Sequence, residues 1–173
     1  MRRVLFLALL LISGACSATP PTSTHLGYFS NQKTTATSGD PHSEGYAVDL
    51  YREGSHVFGK FYVSTGIETP SGPIDNAKID LSTRTFTFAA KLSTGFEFTR
   101  DSGPQGRPAR DVFEFHGKIS RSTLEGRLIH KSGYDPTSDI RSEHVLLRRV
   151  KIDTPSVNYA DWAKEPANAP VGW

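Results

Sequence analysis

Cys16 is the only cysteine in the 173-residue chain, and its thiol ends a stretch in which Arg2 and Arg3 precede an unbroken apolar run from Val4 to Ile12. A lone thiol supports neither an intrachain disulfide nor a cysteine-based metal site. Exported to an oxidising compartment it would be a liability unless capped, so the chemistry expected of it is covalent attachment. His56, His130 and His144 are the candidates for metal or acid-base work, but strand phase sets His56 and His144 outward and His130 inward, which argues against a shared zinc or copper ion. Glu114 and His116 share an outer face two residues apart. No nucleophile motif, HExxH or paired-carboxylate pattern accompanies them, so neither catalysis nor a cofactor is expected.

Met1-Arg2-Arg3, the apolar run and the small residues Ser13-Gly14-Ala15 read as an export signal over 1–15. The run is about half of the roughly 20 residues a membrane-spanning helix needs, so a removed signal is expected and not a retained span. Residues 1 to 17 resemble the signals of bacterial lipoproteins, in which the cysteine becomes the new N-terminus and carries acyl chains. Ser13 stands where those signals usually hold a large aliphatic residue, and cleavage after Ala15 or Ala18 to give a soluble periplasmic or secreted protein is the alternative. The resemblance implies lipid attachment at Cys16 and a place in the cell envelope. Because Ser17 is not aspartate, it further implies the outer membrane if the host is Gram-negative. Cleavage before Cys16 removes two of the 20 basic residues and leaves 18 against 18 acidic ones, so net charge offers no case for nucleic acid.

Residues 17 to 43 hold five Ser, six Thr and three Pro with few residues able to build a core. A lipidated N-terminus and flexible tether over 16–44 is therefore expected, with an early edge strand through Leu26, Tyr28 and Phe29 as the alternative. From Gly45 the text changes to period-two alternation, and eight strands are expected near 45–51, 55–64, 74–81, 84–91, 94–99, 111–119, 122–130 and 142–150. Seven of the eight phenylalanines in this region (Phe61, Phe86, Phe88, Phe96, Phe98, Phe113, Phe115) fall on one face and Phe58 on the other. A one-residue slip would expose that set, so the register is strongly specified. Tight connections at Arg52-Glu53-Gly54, Ser82-Thr83 and Ser120-Arg121 imply antiparallel hairpins.

The expected fold is all-β: an eight-stranded antiparallel up-and-down, lipocalin-like barrel over 45–152, with a two-sheet sandwich as the alternative. The outline resembles small lipocalin-like barrels carried on bacterial lipoproteins, although the Gly-x-Trp signature near the first strand is absent. Gly59, Gly117 and Gly126 recur in an apolar-x-Gly-basic-apolar pattern, where a missing side chain lets a strand bend or a facing chain approach. Over 153–173 a short helix capped by Ser156 should lay Tyr159 and Trp162 on the barrel wall. Trp173 has no assigned role.

Strand parity puts the long loops 100–110 and 131–141 at the end away from the tether, where binding surfaces concentrate. Arg100, Arg107, Arg110, Lys131, Tyr134 and Arg141 could form a basic, aromatic-bearing patch there for an envelope protein partner. The expected function is therefore a membrane-anchored protein-binding module, an inhibitor, immunity or assembly factor. The alternative is a carrier holding a small apolar ligand inside the barrel, lined by Phe61, Phe88, Phe98 and Phe113.

Overall fold

The computed structural model describes residues 23–35, 41–153 and 157–165. The signal over 1–15, Cys16, Ser156 and Trp173 lie outside the described residues. The chain enters at Ser23, whose hydroxyl donates to the Val157 carbonyl, and forms β1 (Thr24–Ser30), β2 (Lys33–Thr35), β3 (His42–Glu53), β4 (His56–Gly66), β5 (Ser71–Asp80) and β6 (Thr85–Leu92). A short pair, β7 (Phe96–Glu97) and β8 (Arg107–Pro108), precedes β9 (Asp111–Ile119), β10 (Thr123–Ser132), β11 (Arg141–Val150) and the helix α1 (Tyr159–Trp162).

Neighbouring strands run antiparallel in the order β1-β11-β10-β9-β6-β5-β4-β3, and β1 pairs with β3 as well as with β11. A sheet whose first strand bonds to its last is a closed barrel of eight strands, and the sandwich is set aside. The three tight hairpins form where the turn residues put them. Gly54 takes φ 59° between β3 and β4, and Asp80 Oδ1 accepts from the Ser82 and Thr83 amides between β5 and β6. The Ser82 and Thr83 side chains first, and those amides after them, hold the exposed Asp80 carboxyl down at about 2.

The count of eight is as expected, but its membership differs at two places. The tether over 16–44 is corrected: Thr24–Ser30 is a barrel strand, Phe29 is fully buried in the core, and the described part of the barrel unit therefore begins near 24 instead of 45. The expected strand at 94–99 is also corrected. Leu92 pairs directly with Asp111, so β6 and β9 are neighbours, and 93–110 leaves the wall as an arm in which only β7 and β8 pair. Gly95, Gly103, Pro104, Gly106 and Pro108 interrupt any longer ladder there. Phe96 and Phe98 are consequently 65% and 70% exposed, and Leu81, a turn residue, is 65% exposed.

The interior is packed with rings. Phe61 lies 5.1 Å from Phe113 and 5.6 Å from Phe88, and Phe88 stacks on Phe115 at 5.3 Å. Phe58, the one phenylalanine of opposite phase, is buried on the outer wall, with Trp162 at 5.2 Å and Tyr159 at 5.3 Å. The expected docking of the helix on the barrel is therefore present. Its N-cap is Asn158, whose side chain accepts from the Asp161 amide.

Gly117 and Gly126 face each other across β9 and β10. A Cβ at Gly126 would stand 2.4 Å from the His116 carbonyl oxygen and 2.5 Å from Gly117 Cα, both backbone atoms that cannot swing aside. This close approach is barrel geometry: two strands press together under the Phe115 ring. Gly126→Ala should destabilise the barrel by about 3 kcal/mol, the upper end of the usual range for overpacking. Gly54→Asn, at a turn with nothing within 4 Å of its would-be Cβ, should stay within about 0.5 kcal/mol because Asn tolerates positive φ. Urea denaturation of both variants checks the pair.

Candidate functional site

Parity divides the barrel into two ends. The base gathers Ser23, the three tight hairpins and α1. The distal rim gathers the β1–β3 connection, residues 67–70, the arm 93–110 and residues 133–140. The long loops thus lie opposite the N-terminal entry, as expected, although two changes in strand membership cancel to give that result.

On the rim, Arg107 and Tyr134 knit the arm to the β10–β11 loop. The Arg107 guanidinium sits 3.5 Å over the Tyr134 ring, with Arg110 at 4.7 Å. Arg107 Nε also donates to Glu97 across the β7–β8 pair at 2.9 Å, and the Tyr134 hydroxyl donates to the Pro108 carbonyl at 3.0 Å. Three of the six expected patch residues are therefore brought together, but as struts of the arm. Lys131 is engaged on the outer wall by Glu114 at 2.8 Å. Arg100 and Arg141 are exposed at a turn of the arm and at the start of β11.

Asp111 is the joint between arm and barrel. It is 6% exposed at the first position of β9. Its Oδ2 accepts from the Thr94 amide and hydroxyl, each at 2.8 Å, and its Oδ1 accepts from His130 Nε2 at 2.6 Å. The His130 ring stacks on Phe113 at 4.5 Å, which fixes its orientation. Burial works to raise the Asp111 carboxyl, but the His130 and Thr94 hydrogen bonds outweigh it and hold the group below the ordinary aspartate range.

Strand parity in the sequence expects His56, His130 and His144 near one distal end; His130 and His144 lie in the distal half, but His56 lies at the base, where its ring stacks on Tyr159 at 4.5 Å. His130 points inward and His144 outward, with Nε2 3.4 Å from Glu125, so the three do not converge. Among the described residues no three His, Cys, Asp or Glu side chains gather as a metal site. Glu114 and His116 line a shallow outer depression with Lys78 and Thr87.

Two features of the rim escaped the sequence. The first is an apolar set, Phe96, Phe98, Ile140 and Ile67, each between 55% and 70% exposed on loops of this one end. The cluster of Gly and Pro through 95–108 was the signal that this tract could not be a buried strand. The second is a cleft of about 840 Å³ at the distal part of the β1–β11 seam, lined by Asn31, Gln32, Lys33, Glu44, Tyr46, Ser64, Glu143 and Arg148 among others. Tyr46 donates to Glu143 across it at 2.6 Å, and Gln32 donates to Ser64 at 2.6 Å. Burial first, and the Glu143 carboxylate second, push the Tyr46 hydroxyl well above the ordinary tyrosine range, so it remains a donor. None of Phe61, Phe88, Phe98 or Phe113 lines this cleft. The first two and Phe113 are buried in the ring stack, and Phe98 stands on the arm.

The Asp111 joint sets a pH window. A carboxyl depressed by folding contributes stability that is complete above its unfolded value, about 3.9, and is lost as pH falls through the lower folded value. Amide protection across 93–110, taken relative to intrinsic exchange at each pH, should therefore be unchanged between pH 7 and pH 5 and should fall below about pH 4, before that of the barrel amides does. Asp111→Asn should raise exchange in the arm at pH 7, since a hydrogen bond to a charged group is worth about 1.5–3 kcal/mol.

Comparison with known protein families, with curated proteins and with solved structures found no match.

Proposed function

We propose that the chain is an envelope lipoprotein, anchored through Cys16, whose barrel offers its distal rim to a protein partner and performs no catalysis of its own. The observation that carries this reading is the exposure of Phe96 and Phe98 on a braced arm, with Ile140 at the same end. Large apolar side chains held exposed on an ordered loop, ringed by arginine and tyrosine, have the composition of an interface centre. Arg107, Tyr134 and Asp111 fix the arm, the Phe98 ring covers Gly106 within it, and most of the surface of both rings remains exposed for contact.

The geometry relative to a membrane supports the same reading. Between Cys16 and the barrel entry at Ser23 lie only residues 17–22, a connector that spans at most about 25 Å when fully extended. The base would sit close to the lipid surface and the rim would face away from it. The carrier reading receives no comparable support, because the interior phenylalanines fill the barrel with one another.

Phe96→Ser with Phe98→Ser should reduce partner capture at least about tenfold, as expected for central interface residues. The melting temperature should hold, since both rings are exposed in the free protein. The measurement is crosslinking in the producing cells followed by mass spectrometry, with the variant and wild type compared at equal abundance. Capture that survives the double substitution would remove the rim from consideration. In the same cells Cys16→Ser should move the protein from the membrane to the soluble fraction and abolish acyl incorporation, read by intact mass.

A further inference from the structure

The barrel closes unevenly. β11 pairs with β1 only through Arg148, Arg149 and Val150, opposite Ser30, Phe29 and Tyr28. Beyond Ser30 the chain does not follow β11. It stays with β3, first through the Asn31 amide to the Tyr46 carbonyl and then through β2, whose Lys33 to Thr35 pair with Glu44 to His42. From Arg141 to Leu147, β11 is held by β10 on one side, and among the described residues no strand pairs with it on the other. The cleft opens along this unpaired length.

The orientation of the free groups follows from strand alternation. Arg149 donates its amide to the Ser122 carbonyl on the β10 side, so the residues of even number turn their backbone N–H and C=O toward the seam. Ser142, His144 and Leu146 therefore turn one edge toward the seam, and Leu146 lines the cleft itself. The facing wall is also an edge, because β2 has β3 on one side only. The unpaired length is about 20 Å, that of an ordinary strand of five or six residues.

We propose that this seam receives an extended peptide segment of a partner protein as an added strand, bonded to the β11 edge at Ser142, His144 and Leu146. The charges of the cleft favour a peptide over a small ion. Lys33 and Arg148 are balanced by Glu44 and Glu143, so the cleft has no net sign to select an anion or a cation. What it offers is a row of backbone donors and acceptors, matched by the neutral, two-handed polarity of another main chain. Tyr46 and Val63 form the inner wall, and they suit alternate apolar side chains of such a strand. The Tyr46–Glu143 bond crosses the cleft and marks the contact that an entering strand must pass beneath or displace. An exposed edge of this length invites unwanted pairing unless it is used or blocked.

This inference rests on reading the barrel as a protein-binding module, but on a different surface from the arm. The test is a phage-displayed library of random seven-residue peptides selected against the full chain. Selected peptides are then titrated calorimetrically into wild type, Leu146→Val, Leu146→Pro and the Phe96→Ser/Phe98→Ser variant. Proline removes one seam-facing N–H and no bond to β10, so folding should be retained, as for proline on an edge strand. Ser142→Pro serves the same purpose should Leu146→Pro fail to fold. Expected are equal affinities for wild type, Leu146→Val and the arm variant, at least about tenfold loss for the proline variant, and slowed amide exchange at Ser142, His144 and Leu146 on binding. Selected peptides indifferent to proline, or dependent on Phe96 and Phe98, would overturn the proposal. So would a selection that yields no binder, or concentration-dependent protection of those amides without peptide, which would make the occupant a second copy of the chain. Loss of partner capture in the arm variant bears only on the rim, so the two readings fail separately.

Discussion

The structure depends on one constraint: a sheet apolar on a single face has to close, and the strand that closes it is β1. Six residue pairs tie β1 to β3, whereas three tie it to β11. That asymmetry is sufficient for the core, because Phe29 enters it from β1 and is fully buried. A buried phenylalanine is worth about 1.5–3 kcal/mol of transfer free energy, so the strand is held by its side chain as much as by its ladder. Where the ladder to β11 stops, the wall parts. The same event that seals the base leaves the distal seam open.

Closure around so many rings also decides what the interior can do. Phe61, Phe86, Phe88, Phe113 and Phe115 contact one another in a continuous stack. Where the stack reaches the β9–β10 wall there is no room for side chains, and the Gly117 and Gly126 pair admits the Phe115 ring. An eight-stranded interior is just wide enough to be filled in this way. The polar and charged groups of the described residues therefore lie mainly on the loops, edges and outer wall.

The sequence was legible where one rule acted alone. Period-two alternation located seven of the eight barrel strands, and the Gly54, Ser82-Thr83 and Ser120-Arg121 turns fixed the antiparallel sense of the hairpins. It misled where local pattern and tertiary pairing disagreed. His25 to Phe29 does not alternate, since a register shift between His25 and Gly27 lets both Leu26 and Phe29 reach the core, and it lies in a Ser/Thr/Pro-rich tract; tertiary pairing with β3 overrode local composition. Phe96 and Phe98 had the right phase for the core, but β6 and β9 pair across them and Gly and Pro forbid a ladder. Of the rim, Arg107, Arg110 and Tyr134 were readable as basic and aromatic residues on one loop pair. Their mutual stacking, the Asp111 joint and the half-open seam were not, because each depends on which strands become neighbours.

The excluded strand and the open seam are two consequences of one competition. The barrel has eight places, and one expected strand, 94–99, is outside them while β1 is within. β1 takes a place next to β11, and 93–110 is displaced without being released, since Thr94 at its root is bonded to Asp111 and Arg107 at its return is clamped over Tyr134. A displaced segment with apolar rings would ordinarily be a hazard for aggregation. Here it is braced by polar contacts at its root and return and by the Phe98 ring over Gly106, while most of the surface of Phe96 and Phe98 stays exposed. The seam tells the same story from the other side. β1 and β2 follow β3 to the tip of their hairpin instead of following β11, and among the described residues no strand pairs with the distal half of β11 on that side. Both departures from an ideal closed barrel fall at the end opposite Ser23, while the base carries the tight turns and the docked helix. The proposed partner contact rests on that coincidence, because stability alone does not require the unpaired edge and the exposed rings to share one end.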